Sequence, residues 1–253
     1  MKSSGRVEFL ENVRKALNRK DPGERSLEDI IQMEPDADDS GVLEKIAVRD
    51  TNVHLALLAR LIEAGKRVNV DVLVQKNAVS AAASISEIAA GKSAEWGDRK
   101  AVVAWEHPIV RQLAIAACLR PLDIPVYFPD IEPGTADRQK AFRKHAESAF
   151  IGITSADYCI AETATLTMKT RPGQPRSVSL LPSIHIAVIR LEQILSNLNE
   201  LYALLKWNPN EQTEGITPCM TFITGPSKTA DIEATLVHGA HGPRELTIMV
   251  LTG

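Results

Sequence analysis

At 253 residues, with 44% hydrophobic and 24% charged side chains, the chain is long enough to bury a full core and too apolar for wholesale disorder. Its 29 basic and 32 acidic side chains leave a net charge of −3 and form no Lys/Arg-rich block, which argues against nucleic acid as a partner. The longest stretches free of Asp, Glu, Lys and Arg, Ser177 to Ile189 and Gly215 to Ser227, are 13 residues each, short of the roughly 18 that a bilayer span requires.

Ser4 to Arg19 sets Val7, Leu10, Val13 and Leu17 on one helical stripe, predicting an amphipathic N-terminal arm. The charged N-terminus has no apolar run of secretory type, so the expected location is the cytoplasm. Lys20 to Gly41, with Pro22, Gly23, Pro35 and the acidic Asp36, Asp38 and Asp39, reads as a linker. Helical periodicity resumes near Val42, and Val53, Leu57, Leu58, Leu61 and Ile62 predict a core helix stopped at Gly65. Residues 1–65 are therefore expected to form an arm, a linker and a helix, and residues 66–253 an α/β domain.

From Lys66 onward, short β-branched runs alternate with helix-length segments. Strands are predicted near Arg67–Leu73, Ala101–Trp105 and Pro125–Phe128, with helices near Asn77–Ala90, Pro108–Leu119 and Thr135–Ala149, giving two βαβ crossovers. Shorter strands follow at Ala149–Ile153, Tyr158–Ala161, Thr165–Met168 and Ser183–Arg190, then a helix over Glu192–Leu205 and strands at Met220–Thr224 and Glu245–Leu251. Their close spacing predicts a mixed sheet or a β-rich subregion. Cys118, Cys159 and Cys219 are widely separated and include no C-x-x-C pair, so neither a disulfide framework nor an iron–sulfur cluster is expected on this chain.

Three groups of residues are candidates for chemistry. Gly152 to Thr165 places Thr154, Ser155, Asp157, Glu162, Thr163 and Thr165 around a strand–turn–strand. Thr154, Ser155 and Asp157 are either a cap or a ligand site, and Glu162, in an apolar surrounding, is either a buried acceptor or a nucleophile or base. Thr224 to Glu233 passes from an apolar strand through Gly225, Pro226, Ser227, Lys228 and Thr229, a turn expected to open a short helix; it is either an anion cradle or a cap complemented by Asp231 and Glu233. His238 to Pro243 is glycine-flanked, so His241 and Gly242 belong either to a loop that lets a ligand approach the backbone or to a plain turn. His185, at the start of an apolar strand, is either a satisfied core histidine or part of such a site. No third ligand near the two histidines suggests a metal.

The order G-I-T-x-A-D, I-A-E-T-x-T-L, L-L-P-x-x-H-I, I-T-G-P-S-x-T-A-D-I-E and L-V-x-G-x-H-G-P-x-E-L between Gly152 and Leu246 resembles the lactate-utilisation (LUD) domain family. Size and layout are similar to its lactate utilisation protein C branch. The resemblance implies an open Rossmann-like sheet similar to the sugar-phosphate isomerase and CoA-transferase group, here with an N-terminal helical arm. It implies a cytosolic subunit of an L-lactate oxidation system, with no cofactor bound by this chain and iron–sulfur clusters on partner subunits. Carried over by position, the motif residues are Thr154, Asp157, Glu162, Thr163, Thr165, His185, Gly225, Ser227, Thr229, Asp231, Glu233, His241 and Gly242, with Lys228 beside them. The family usually has Gly where this chain has Ala164, and an added methyl resists positive φ. The expected ligand is a small carboxylate or phosphate and the expected assembly a homo-oligomer clasped by the arm. A stand-alone enzyme with Glu162 as nucleophile or base, and a non-catalytic anion sensor, are the alternatives. A single pocket at the carboxyl ends of the strands, lined by Glu162, Ser227 and His241, is expected.

Overall fold

The computed structural model describes residues 12, 13, 15, 35, 37–94, 100–130, 136–215, 217, 219–230, 236–238 and 242–253. The predicted N-terminal arm lies largely outside them, as do Asp231, Glu233 and His241. Contacts divide the chain into Met1–Gly41 and Val42–Gly253, and the second unit holds every element that follows except the start of the first helix.

Helix α1 (Ala37–Ala47) starts inside the expected linker. Helix α2 (Thr51–Val68) opens at Asp50, whose carboxylate accepts from the Val53 amide at 2.9 Å. It runs through Gly65 rather than stopping there, and ends at Asn69 in the left-handed region. Gly65 serves a different purpose: a Cβ there would lie 2.9 Å from the Val70 carbonyl oxygen, so its bareness lets the next strand fold back on the helix.

Strand β1 (Val70–Gln75), α3 (Ala78–Gly91) and β2 (Val102–Ala104) form the first crossover. The expected helix over Pro108–Leu119 is broken at Ala114, with φ 48°, into α4 (Pro108–Gln112) and α5 (Ile115–Leu119). Strand β3 (Val126–Tyr127), α6 (Ala136–Ser148) and β4 (Ile151–Thr154) follow. After β5 (Tyr158–Ile160), β6 (Thr165–Lys169) and α7 (Ser177–Leu180) comes β7 (Ile184–Arg190). The expected helix over Glu192–Leu205 instead begins as a 3-10 turn and strand β8 (Ile194–Leu195), with α8 (Leu198–Trp207) starting only after Asn197 caps it. Ile194 pairs with Cys159 of β5, and that pairing overrides helical spacing. Helix α9 (Pro209–Glu214), β9 (Met220–Thr224), the hairpin β10 (Lys228–Ala230) and β11 (Leu236–His238), and β12 (Glu245–Leu251) complete the described elements.

Six strands form an all-parallel sheet in the order β1-β12-β7-β4-β2-β3. Strands β7 and β12 are buried along nearly their whole length, as a parallel sheet covered on both faces requires. Leu61, Ile85, Val102, Ile151, Ile186 and Ile248 are fully enclosed, each contributing roughly 1.5–3 kcal/mol of apolar burial. The β-rich subregion is a second, mixed sheet ordered β8-β5-β6-β9. The architecture is the open α/β sheet expected, with helices ahead of it and no described helix long and apolar enough to cross a membrane.

Candidate functional site

Register decides which candidates meet. On the parallel sheet His185 of β7 lies opposite Gly152 of β4 on one side and Leu246 of β12 on the other. Its ring is 1% exposed, and Nε2 lies 2.8 Å from Thr154 Oγ1. Burial pushes the imidazole down to about 3, so the ring is neutral at physiological pH. Nδ1 has no hydrogen-bond partner. A buried polar atom left unpaired is destabilising, so it needs an explanation.

The ring lines a cleft of about 240 Å³ at the amino ends of β7 and β12. Thr221 to Ser227 form one wall, Ser179 and Leu180 of α7 another, and Gly242, Pro243 and Leu246 a third. Backbone geometry draws these walls together. Gly225 has φ 77°, and a Cβ there would lie 2.6 Å from the Val68 carbonyl oxygen, so only glycine fits. The Ser227 amide donates to the Pro243 carbonyl at 2.7 Å, tying the two loops. A Cβ on Gly242 would meet Ser227 Cβ at 3.3 Å. Leu180 and Phe222 beside the cleft are 38% and 44% exposed. His54 Nδ1, Thr167 Oγ1, Thr170 Oγ1 and Gln174 Oε1 are also buried without partners, but none of those residues lines a described cleft. His185, Gly225, Ser227 and Gly242 are thus brought together, with Thr154 supporting the ring from behind.

Other candidates fall elsewhere. Lys228 and Thr229 open the hairpin strand β10, where the sequence predicts a helix after the turn. Lys228 is exposed and outside the cleft lining. Glu162 is exposed in the β5–β6 hairpin turn, contrary to the buried carboxylate expected. It faces a separate cleft of about 540 Å³ with Arg60, Glu63 and Arg67 of α2. Among the described residues Glu162 and Ser227 line two separate clefts rather than the single pocket expected at the carboxyl ends. A chain of hydroxyls joins the two places: Thr163 Oγ1 lies 2.7 Å from Thr165 Oγ1, which lies 2.7 Å from Thr224 Oγ1 at the cleft wall. Ala164, between the threonines, is buried with φ 50° and holds the left-handed turn conformation despite its methyl.

Asp157, beyond the carboxyl end of β4, accepts from the Lys169 amide at 2.6 Å and pairs with Arg171 at 2.6 Å. Lys169, with its side chain 2% exposed, is bonded to Glu211 and to Glu214, the latter at 2.9 Å; Arg171 also grips Glu214, and Tyr158 donates to Glu211 at 2.8 Å. The Arg171 bond holds Glu214 down to about 2, while burial opposes it; burial, then the Glu211 bond, raises Tyr158. Of this network the sequence singled out only Asp157, because the other members come from β5, β6, the following loop and α9, and each alone looks like an ordinary surface residue. Cys159 is buried and its thiol is pushed up to about 12 by desolvation. Among the described residues no group of three or more His, Cys, Asp and Glu is placed to hold a metal ion.

The LUD domain model matches residues 58–251. Similar proteins include lactate utilization protein C of Geobacillus sp. strain WCH70, 34% identical over 60% of this chain and 62% of that protein. Those of Halalkalibacterium halodurans and Bacillus velezensis are 36% and 39% identical, covering 56% and 47% of this chain and 58% and 47% of theirs. The matched stretch is therefore less than two thirds of these relatives' length. A solved structure, a DUF162 family protein from Deinococcus radiodurans, is 21% identical with a TM-score of 0.49, covering 80% of this chain and 99% of that one. With the family model covering the whole parallel sheet and most of α2, the chain belongs to the LUD domain family.

Proposed function

We propose that the chain serves lactate utilisation as a non-cluster subunit of an L-lactate-oxidising assembly, and that the His185 cleft is its small-ligand site. Family membership and the relatives' names support the lactate role. The observation that carries the site is the buried, unpartnered Nδ1 of His185 in a cleft whose walls are tied by glycine contacts. Electron transfer belongs, in this reading, to iron–sulfur clusters on partner subunits in the cytoplasm, and the chain itself holds no cofactor.

The test is affinity capture of the tagged full chain from lactate-grown native cells, with iron content and lactate-dependent dye reduction measured on the captured material. Iron-bearing partners with lactate-dependent dye reduction, absent from the isolated chain, are the expected result. Capture of the chain without iron, or dye reduction by the chain alone, overturns the subunit reading.

A further inference from the structure

Taking the His185 cleft as the ligand site, we infer that it admits a small monocarboxylic acid together with one proton, which His185 holds opposite the carboxylate, and that it rejects dianionic phosphate. The inference rests on what lines the cleft. Ser179, Thr221, Thr224 and Ser227 supply hydroxyls and His185 one ring; the other lining residues are apolar or glycine, and none is Lys or Arg. The elements packed on β7 bring no cation to the ring. Strand β4 and helix α7 carry no ionisable side chain. Glu245 of β12 is ion-paired with Lys92, and Arg111 of α4 with Glu106. Arg176, Arg244 and Lys228 flank these elements outside the lining. Burial is the sole cause that holds His185 low, and no described charge acts on it.

A carboxylate entering this cleft loses water and meets no fixed positive charge among the described lining residues, which is strongly unfavourable unless a proton accompanies it. His185 is built to take that proton. Its free Nδ1 then donates to the carboxylate, while Nε2 donates to Thr154 Oγ1, a hydroxyl that accepts as readily as it donates. The bound carboxylate raises the imidazole, because its negative charge favours the protonated ring that burial alone disfavours. One histidine neutralises one negative charge, so phosphate in its dianionic form, which dominates at pH 8, remains uncompensated. The apolar walls, Leu180, Phe222, Ile223 and Leu246, suit the alkyl end of a compact hydroxy or keto acid.

Calorimetric titration of the purified full chain with L-lactate, lactamide and inorganic phosphate, each in two buffers of different ionisation enthalpy, tests this. The expected result is uptake of about one proton per L-lactate and affinity falling about tenfold per pH unit between pH 6 and 8. Lactamide takes up no proton, phosphate does not bind at pH 8, and His185→Gln abolishes proton uptake. Should that variant fail to fold, ring-nitrogen resonances of the wild-type His185 give the answer: both nitrogens become protonated on lactate saturation at pH 7. Lactate binding without proton uptake, phosphate binding at pH 8 that shifts the His185 resonances, a ring that stays neutral, or no lactate binding overturns the inference. Iron-bearing partners captured by a chain that fails here leave the subunit reading standing; proton-coupled binding by a chain without such partners leaves this one standing.

Discussion

Two polar regions of the same unit bury ionisable groups in opposite ways. Around Asp157, the carboxylates and cations are cross-paired: Lys169 with Glu211 and Glu214, Arg171 with Asp157 and Glu214, and Tyr158 closing on Glu211. Around His185 no described charge acts on the ring, and one ring nitrogen has no hydrogen-bond partner. The first region is a clasp that fixes α9 and the loop after β6 to the mixed sheet, and its groups are occupied with one another. The second keeps a hydrogen-bonding atom in reserve. Burial alone therefore does not mark a functional group; a buried group without a partner, at the wall of a cleft, does.

The comparison breaks most readily in acid. Between pH 6.5 and about 3 the unfolded chain takes up a proton on His185 that the folded chain refuses, so stability falls as pH drops through that window, by on the order of 5 kcal/mol in all. Glu214 acts lower: its stabilisation is present above the ordinary carboxylate value of 4.5 and is lost as pH falls towards 2. Urea unfolding of the wild type and His185→Gln between pH 7 and 5 separates the two, and a slope that survives the substitution would assign it elsewhere. Next in size, Lys169→Ala strands Glu211 with one partner fewer and is expected to lower unfolding free energy by about 3 kcal/mol at pH 7, read as a shift in the urea midpoint. No shift would mean that the clasp is ornamental. Tyr158→Phe removes a single hydroxyl bond to Glu211 and should cost about 1.5 kcal/mol by the same assay. The smallest change has the opposite sign. Ala164→Gly relieves a methyl held at φ 50° and should stabilise the turn by about 0.5–1 kcal/mol, the strain relieved exceeding the added freedom of the unfolded chain; a loss of stability would show that the buried methyl's packing outweighs its strain.

Much of the fold was legible because periodicity and burial agreed. Runs such as Ile184–Arg190 and Glu245–Leu251 are apolar on both faces, which in a chain alternating with helices means a parallel strand covered on both sides. Errors arose where a long-range pairing overrode a local pattern. Ile194 and Leu195 have helical spacing but pair with β5, and Lys228 to Ala230 follow a helix-like cap but pair with β11. The Gly65 signal was real but misread, since a glycine that admits a neighbouring backbone looks the same in sequence as one that ends a helix.

For the site, motif order named His185, Gly225, Ser227 and Gly242, which line one cleft, while Glu162 and Asp157, from the same motifs, lie in two other places. Sequence by itself determined the layered α/β class, the strands and the inventory of hydroxyls, histidines and glycines, because those follow from local spacing and side-chain chemistry. Tertiary structure alone decided which of them meet, which are paired and which nitrogen is left waiting. Strand order places β12 between β1 and β7, and so brings Gly242 beside Ser227 and near His185; nothing within a few residues of any one of them specifies that neighbour.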